Sequence, residues 1–158
     1  MADEALNQAI EIFYSYSHRD ERLRKQLEDH LSVLQRRGLI AGWHDRDIDA
    51  GTEWKTQIDS HLQTAQIILL LISGSFLASD YCYGLEMTTA MERHERREAR
   101  VIPVILRPCM WQDAPFARLQ VLPRDGKPVT KWPSPDDGFL SVAEGIHAVV
   151  KHMSGGVI

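Results

Sequence analysis

The sequence predicts an α/β domain in which helices cover both faces of a parallel β-sheet. Strand-like segments rich in β-branched and aromatic residues alternate along the chain with segments whose apolar residues recur at helical spacing. The most apolar segment, IILLLI at 67–72, does not alternate apolar with polar residues, which is typical of a strand covered on both sides. A chain of 158 residues is long enough for one such domain.

The first predicted strand is IEIFYSY at 10–16. Ser17 and Asp20 follow at the spacing of a capping box, with Asp standing where Glu is more usual. Leucines at 23, 27, 31 and 34 then form one apolar helical stripe. Gly38 has the position of a glycine that ends a helix, so the helix is expected to stop there.

The next strand is predicted at 39–43, LIAGW. A second helix is expected to begin at 52–53 and to carry Trp54, Ile58 and Leu62 on one face. The third strand, 67–72, follows this helix directly.

Ser79 is predicted to cap a third helix that ends near Arg97. The fourth strand is VIPVIL at 101–106, where Pro103 indicates a position near the edge of the sheet. A weaker fifth strand is predicted at 127–132, KPVTKW.

The last helix is predicted from about 137 to 152. The expected organisation is therefore a single domain at 10–152, an N-terminal tail at 1–9 and a C-terminal tail at 153–158.

Composition excludes several classes of function. The net charge of −4 provides no general attraction for nucleic acid or an anionic membrane. The mixed charges of 93–100 are typical of a solvated helix face. No apolar run approaches the ~20 residues that cross a membrane, and the N-terminus does not resemble a signal peptide. With Cys82 and Cys109 as the only cysteines, we expect a cytoplasmic protein with reduced thiols.

Ligands of such sheets bind beyond the carboxyl ends of the strands, which points to residues 16–18, 43–52 and 73–86. The turn after the first strand, SYSHRDE, contains no glycine, so neither a dinucleotide fingerprint nor a P-loop is present. A phospho-accepting receiver domain would need acidic residues where 15–17 and 73–75 hold serines.

Two further kinds of site find weak support. His44, Asp45 and Asp47 carry possible metal ligands, but no second His or Cys stands at ligand spacing. Cys82 lies in the first turn of the predicted third helix, where a thiolate is favoured. No clear base accompanies it, so a packing role is favoured over nucleophilic catalysis.

Three blocks of sequence nevertheless resemble a known family. IEIFYSYSHRDE, WHDRDIDAGTEWKTQI and IILLLISGSFLASDYCYGLEM occur in the order and at the spacing of the Toll/interleukin-1 receptor (TIR) domain, especially its bacterial members. The resemblance extends from residue 10 to about 152. It implies a flavodoxin-like fold, with five parallel strands and helices on both faces.

In TIR domains the loop after the second strand contacts neighbouring domains and borders the active site. Here the resemblance implies that Ile48 offers an apolar tip to a partner, while Gly51 permits a turn that other residues resist. A tight turn that caps the next helix is the simpler alternative. The implied assembly loop comprises His44, Asp45, Arg46, Asp47, Ile48, Asp49, Gly51 and Trp54.

Many TIR domains cleave NAD with one glutamate on the third helix, and that glutamate matches Glu86. The family often has Trp where this chain has Cys82, so Tyr81 and Tyr83 are candidates to supply the aromatic surface. Several candidate contacts have structural alternatives as helix caps or core residues. The implied substrate contacts are Ser15, Tyr16, Ser17, Trp43, Asp45, Ser75, Ser79, Tyr81, Cys82 and Tyr83.

The resemblance therefore implies an NAD glycohydrolase that releases nicotinamide and forms ADP-ribose or a cyclic isomer. NAD would be its substrate, and no cofactor or metal is expected. Other TIR domains would be its partners, with a sensor domain outside this chain, and neither nucleic acid nor membrane is expected to bind directly. Two alternatives remain: a non-catalytic TIR–TIR assembly module, and transfer chemistry on nucleosides.

Overall fold

The computed structural model describes residues 8–48 and 50–155. The strands are β1 Ile10–Ser15, β2 Ile40–Trp43, β3 Ile67–Ile72 and β4 Arg100–Ile105. The helices are α1 Glu21–His30, α2 Ser32–Arg36, α3 Trp54–Thr64, α4 Gly74–Ala78, α5 Met87–Glu95 and α6 Pro135–Met153. A π-helical segment, Asp80–Glu86, joins α4 to α5, and short 3₁₀ turns include His18–Asp20, Asp45–Asp47 and Val129–Lys131.

The strands pair in the order β2-β1-β3-β4, and every pairing is parallel. All six residues of β3 are buried, which confirms that this strand is covered on both faces. The first strand of the chain, β1, is a central strand of the sheet. The second strand, β2, lies at the edge beside it, and β3 lies on the other side of β1. The change of direction creates the crevice in which ligands of doubly wound sheets bind.

Alternation along the strands separates two apolar cores. Ile12 and Tyr14 face the core formed with α1, α2 and α6, whereas Phe13 faces the core formed with α3 and α5. The residues of β3 divide in the same way, with Leu69 on the first side and Leu70 on the second. This two-sided burial confirms the α/β class that the sequence predicts.

The leucine stripe divides between two helices, because α1 stops at His30 and α2 begins at Ser32. Leu27, Leu31 and Leu34 are buried in the first core, as the spacing predicts. Gly38 follows the end of α2 with φ +73°, a conformation that glycine adopts without steric cost.

The predicted capping box is only partly present. The Ser17 hydroxyl accepts a hydrogen bond from the Arg19 amide at 3.3 Å and begins the 3₁₀ turn before α1. Asp20 does not cap in return, because its buried carboxylate accepts hydrogen bonds from Ser73 and Arg107 instead.

The fifth strand predicted at 127–132 is wrong for the described chain, where the sheet has four strands. Val129–Lys131 forms a 3₁₀ turn, and the pairing beyond β4 is a single bridge between Val104 and Leu122. Pro123 and Pro128 carry no amide hydrogen, so neither can donate to a ladder along this edge. β4 is consequently an edge strand of the four-stranded sheet, as Pro103 suggests.

The predicted third helix is interrupted in a way that the sequence pattern does not indicate. Ser79 is its cap, since its hydroxyl accepts the Cys82 amide hydrogen at 3.0 Å. The first seven residues are nevertheless π-helical, and regular α-helix begins only at Met87. π-Helical turns occur often at functional sites, and this one ends at Glu86.

Among the described helices, none combines the length and the apolar composition needed to cross a membrane.

Candidate functional site

A cavity of about 540 Å³ opens at the carboxyl end of β1, next to the loop after β2. Its wall combines apolar and aromatic side chains with a few polar groups, which is the usual character of a ligand site. The lining residues are Phe13, Tyr14, Tyr16, Ser17, His18, Asp45, Ile48, Trp54, Ile58, Ser79, Tyr81, Cys82 and Glu86.

Glu86 is 6% exposed and is the last residue of the π-helical segment. Its Oε1 accepts a hydrogen bond from the hydroxyl of Ser15, at the end of β1, over 2.6 Å. Burial raises the pKa of Glu86 to about 8, the negative charges of Asp45 and Asp59 add to the rise, and the Ser15 hydrogen bond opposes it. We call Glu86, together with the fully buried Ser15 that hydrogen-bonds to it, the cavity floor.

No ion pair joins Glu86 to a basic side chain in the described part of the chain. With a pKa of about 8, roughly one molecule in ten carries an ionised Glu86 at pH 7. The carboxyl group of Glu86 is therefore mostly protonated at pH 7. A cationic ligand would lower the pKa of Glu86 and favour its ionised form, because an adjacent positive charge stabilises the carboxylate.

Two polar atoms of the cavity have no hydrogen-bond partner among the described residues. These are the buried Oδ1 of Asp45 and the hydroxyl oxygen of Tyr81. The second carboxylate oxygen of Asp45 contacts Nε2 of His18 across the cavity mouth. Buried polar groups are normally paired, so the cavity wall contains two hydrogen-bonding atoms that the described residues leave unsatisfied.

The wall around Tyr16 is held by a partly buried charge network. The Tyr16 hydroxyl donates to Glu21, whose other carboxylate oxygen accepts from Arg24 at 2.7 Å. Arg24 is buried, and its guanidinium lies 5.6 Å from the centre of the Tyr16 ring. This network fixes the orientation of Tyr16 in the cavity wall.

Cys82 lines the cavity next to Glu86. Burial raises the pKa of its thiol to about 12, so the thiol stays protonated at neutral pH. Because the thiolate is the reactive form of cysteine, the geometry disfavours Cys82 as a nucleophile.

Four candidate contacts lie outside the cavity lining, and the first is Ser15, which is fully buried and hydrogen-bonded to Glu86. Trp43 is buried between the rings of Phe13 and His61, at centroid distances of 5.5 and 4.2 Å. The Ser75 hydroxyl accepts a hydrogen bond from Arg107. Tyr83 is half-buried and packs against the second core.

The loop after β2 presents a mixture of buried and exposed groups. His44 is buried, with its ring edge towards Tyr14 and Tyr16. Ile48 is half-buried and lines the cavity wall, and its role as an apolar tip for a partner stays a prediction. Asp47 is exposed and accepts the His44 amide hydrogen at 3.2 Å.

The end of the same loop is open to solvent. Gly51 has φ +86° and is exposed, in agreement with the turn expected there. Trp54 is 57% exposed and meets the ring of Tyr81 at a centroid distance of 5.8 Å. The spacing predicts that Trp54 shares the buried face of Ile58 and Leu62, but its exposure shows that it does not. Asp49 and the side chain of Arg46 lie outside the described residues. We call residues 45–48 and 50–54 the cavity rim.

Sequence reasoning missed four residues of the wall: Phe13, Tyr14, His18 and Ile58. His18 follows Ser17 in the SYSHRDE turn and lies within a segment already expected at the ligand-binding edge. The other three are members of apolar elements, and their spacing does not distinguish core from cavity.

The described residues contain no group of three or more His, Cys, Asp or Glu side chains arranged to hold a metal ion. The polar groups of the cavity are two carboxyl groups, hydroxyls and one imidazole, and they suit a ligand with hydroxyl groups and positive charge.

The fold and the cavity define a doubly wound α/β domain with a buried acidic group at the carboxyl edge of its sheet. A family model described as TIR domain matches residues 12–132. Because this match covers more than half of the chain, the protein belongs to the TIR domain family.

The chain is also similar to two individual proteins. It is 57% identical over 135 residues to the uncharacterized protein y4lF of Sinorhizobium fredii (strain NBRC 101917 / NGR234), covering 85% of this chain and 42% of that protein. The chain thus spans less than half the length of this relative. The TIR domains in the activated Roq1 resistosome, which directly recognizes the pathogen effector XopQ, match with a TM-score of 0.50. That match has 21% identity and covers 61% of this chain and 57% of the other, so it supports the fold alone.

Proposed function

We propose that this TIR domain is an NAD glycohydrolase, with Glu86 as its catalytic residue. The observation that carries the proposal is a buried glutamate on the floor of a ligand-sized cavity, bonded to a serine hydroxyl. Buried acids without a cationic partner are costly to the fold, and strongly shifted pKa values cluster at functional sites.

The chemistry of NAD suits a site with one such carboxyl group. Its nicotinamide is a cationic leaving group, so the C1′–N1 bond breaks with the electron pair moving to nitrogen, and nicotinamide leaves neutral. No general acid is required, in contrast to ordinary glycosidases, which protonate an alcohol leaving group. Positive charge then develops on the ribose ring, where an ionised Glu86 would stabilise it.

The raised pKa of Glu86 fits this role. The positive charge of the bound nicotinamide lowers the pKa of Glu86, so Glu86 releases its proton to solvent as the substrate binds. Burial then strengthens the attraction between carboxylate and developing ribose cation, since few waters screen it. The unpaired Oδ1 of Asp45 and the Tyr81 hydroxyl would bind ribose hydroxyl groups.

The reaction ends when a nucleophile adds to C1′. Addition of water and loss of its proton gives ADP-ribose, whereas addition of an adenine nitrogen of the same molecule gives a cyclic isomer. The nucleoside-transfer alternative would use the same glutamate at ribose. Assay with free nucleosides in place of NAD would identify it.

Activation by self-association is the second part of the proposal. The rim contributes both to the cavity wall and to the exposed surface, through Ile48 and Trp54. A neighbouring TIR domain that contacts the rim would therefore alter the cavity directly. Bacterial immunity or toxicity is the proposed biological setting, with a sensor domain outside this chain.

The test is nicotinamide release from NAD by concentrated protein, with nucleotide products separated by chromatography. We expect Glu86→Gln to lower kcat by on the order of 10²–10³, because the carboxamide keeps the shape but carries no charge. Glu92→Gln is the matched control, since Glu92 is an exposed glutamate on the next turns of the same helical region. Its turnover should equal that of the wild type.

Circular dichroism and thermal unfolding of each variant establish that the fold is retained. Equal turnover by the wild type and a folded Glu86→Gln protein would overturn the role of Glu86. Absence of turnover at high protein concentration, in this chain and in a longer parent protein, would favour the non-catalytic assembly module.

A further inference from the structure

His18 is a titratable residue of the cavity wall that the cleavage of the nicotinamide bond does not use. It is the first residue of the 3₁₀ turn His18–Asp20, shortly after β1. Its ring lies 6.0 Å from the ring of Tyr16, measured between centroids, and is tilted against it by 59°. The side chain of His18 is 60% exposed. The imidazole therefore contacts both the interior of the cavity and the surrounding solvent.

Asp45 of the rim orients this imidazole, because its Oδ2 contacts Nε2 of His18. A carboxylate only accepts hydrogen bonds, so Nε2 carries the hydrogen and the neutral ring keeps Nδ1 as an acceptor. No hydrogen bond to Nδ1 is formed among the described residues. A carboxylate in this position also stabilises the imidazolium that forms when Nδ1 takes up a proton. The pair thus has the arrangement of a general base and the group that orients it.

The other oxygen of Asp45 connects His18 to the place of the substrate. This Oδ1 is buried and unpaired among the described residues, and in the proposed reaction it binds a ribose hydroxyl group. Since both oxygens belong to one carboxylate, a ribose bound at Oδ1 lies next to the imidazole bound at Oδ2. Glu86 is only 6% exposed, so water reaches the ribose from the side of His18. A general base must lie within reach of the proton it removes, and His18 meets this condition.

We propose that His18 is the general base of hydrolysis and that Asp45 is its positioning residue. The inference rests on the proposed function, since it needs the ribosyl cation that the departure of nicotinamide leaves beside Glu86. The oxygen of a water molecule forms a bond to C1′ while one of its O–H bonds breaks. The proton moves to Nδ1 of His18 and from there to solvent, and ADP-ribose is the product. Without this transfer, nicotinamide recombines with the cation more often than water adds to it.

A pyridine base in place of water separates this role from bond cleavage. Acetylpyridine adds to C1′ through a ring nitrogen that carries no hydrogen, so its addition gives a new dinucleotide without a general base. Hydrolysis and this base exchange share the departure of nicotinamide and differ only in the second step. A residue that removes a proton from water must therefore affect hydrolysis alone.

The experiment measures both products in one mixture of NAD and acetylpyridine, for the wild type, His18→Asn and His30→Asn. Asparagine keeps a donor for Asp45 but has no basic nitrogen. We expect His18→Asn to lower the formation of ADP-ribose by on the order of 10²–10⁴, the usual contribution of a general base, and to leave base exchange unchanged. His30 is the matched control, because it also contacts a carboxylate, Asp136 at 3.2 Å, but lies outside the cavity lining. Its substitution should change neither reaction.

Loss of both reactions by the same factor in His18→Asn would overturn the proposal, because it would assign His18 to substrate binding or to bond cleavage. Unchanged hydrolysis in that variant would overturn it as well.

These results are separable from those on Glu86. Glu86→Gln should lower hydrolysis and base exchange together, since both begin with the departure of nicotinamide. Cleavage that depends on Glu86 but proceeds to ADP-ribose normally in His18→Asn would leave the proposed function intact and remove the general base. Absence of both reactions in the wild type would remove the enzyme and the role of His18 with it.

Discussion

The floor and the rim of the cavity are built on opposite principles. Ser15 and Glu86 of the floor are almost completely buried, and both belong to regular elements that the two cores surround. The rim has exposed residues on both sides of Gly51, and its Trp54 is more than half exposed. Burial gives the floor a shifted pKa, whereas exposure leaves the rim free to contact a ligand or another molecule.

The contrast separates two requirements of the proposed enzyme. A carboxyl group can act strongly on a developing cation only where water is excluded, and that requires rigid packing. Regulation by a partner requires a surface with few core contacts, since such segments change conformation at low cost. One cavity meets both requirements by placing its floor on the end of β1 and of the π-helical segment, and its rim on a loop.

The largest expected contrast is in stability, between the tryptophans at the two ends of this region. Trp43 is buried between Phe13 and His61, so Trp43→Ala should lower the free energy of unfolding by about 3–5 kcal/mol. Trp54 is mostly exposed, so Trp54→Ala should change it by no more than about 0.5 kcal/mol. Urea denaturation of both variants measures the difference. Similar losses in the two variants would show that Trp54 of the rim is packed as tightly as Trp43.

A second prediction concerns the pH dependence of the floor. Because the pKa of Glu86 is about 8 in the free protein, kcat/KM for NAD should rise about tenfold per pH unit below that value and level off above it. The midpoint for kcat should lie at lower pH, since bound nicotinamide cation favours the carboxylate.

Ser15→Ala provides a sharp form of the same test. The Ser15 hydrogen bond lowers the pKa of Glu86, so its loss should move the midpoint of kcat/KM to higher pH. At pH 7 we expect a loss of roughly tenfold, the effect of one hydrogen bond to a charged group, with recovery as the pH rises. Ser60→Ala, at an exposed serine of α3, is the control. A profile that Ser15→Ala leaves unmoved would contradict control of Glu86 by this hydroxyl.

Much of the fold follows from local patterns in the sequence. The apolar run of β3, the leucine spacing of α1 and α2, and the turn at Gly38 each depend on neighbouring residues, so they could be predicted. Pro103 likewise indicates an edge strand because a proline lacks the amide hydrogen of a ladder. The ligand-binding edge follows from the order of strands and helices.

Features that depend on distant contacts could not be predicted in this way. The fifth strand fails because the bridge to β4 is formed by Leu122, whereas 127–132 contains a 3₁₀ turn and its Thr130 amide donates only to Leu106, beyond the end of β4. The resemblance points to Glu86, but its raised pKa comes from burial by both β1 and the π-helical segment. Trp54 has the spacing of a buried residue, yet it is the first residue of α3 and does not pack into the second core.

The smallest expected effect is that of Trp54→Ala on specific activity. It distinguishes a role of the rim in assembly from a role within one subunit. If neighbouring TIR domains contact the rim, Trp54→Ala should lower specific activity several-fold at high protein concentration and have little effect in dilute protein. The reason is that loss of one exposed aromatic weakens association without altering the floor. Val33→Ala, at an apolar residue of α2 that is 62% exposed, should leave activity unchanged at every concentration.

Nicotinamide release measured across a range of protein concentrations gives the answer, with sedimentation of the same samples reporting association. Trp54 also lines the cavity, so its substitution could act on substrate in its own subunit. That case predicts an equal loss at all concentrations and unchanged sedimentation, which would contradict activation through the rim. A loss of specific activity that grows with protein concentration and accompanies weaker association would show that contacts of the rim between neighbouring domains control the activity.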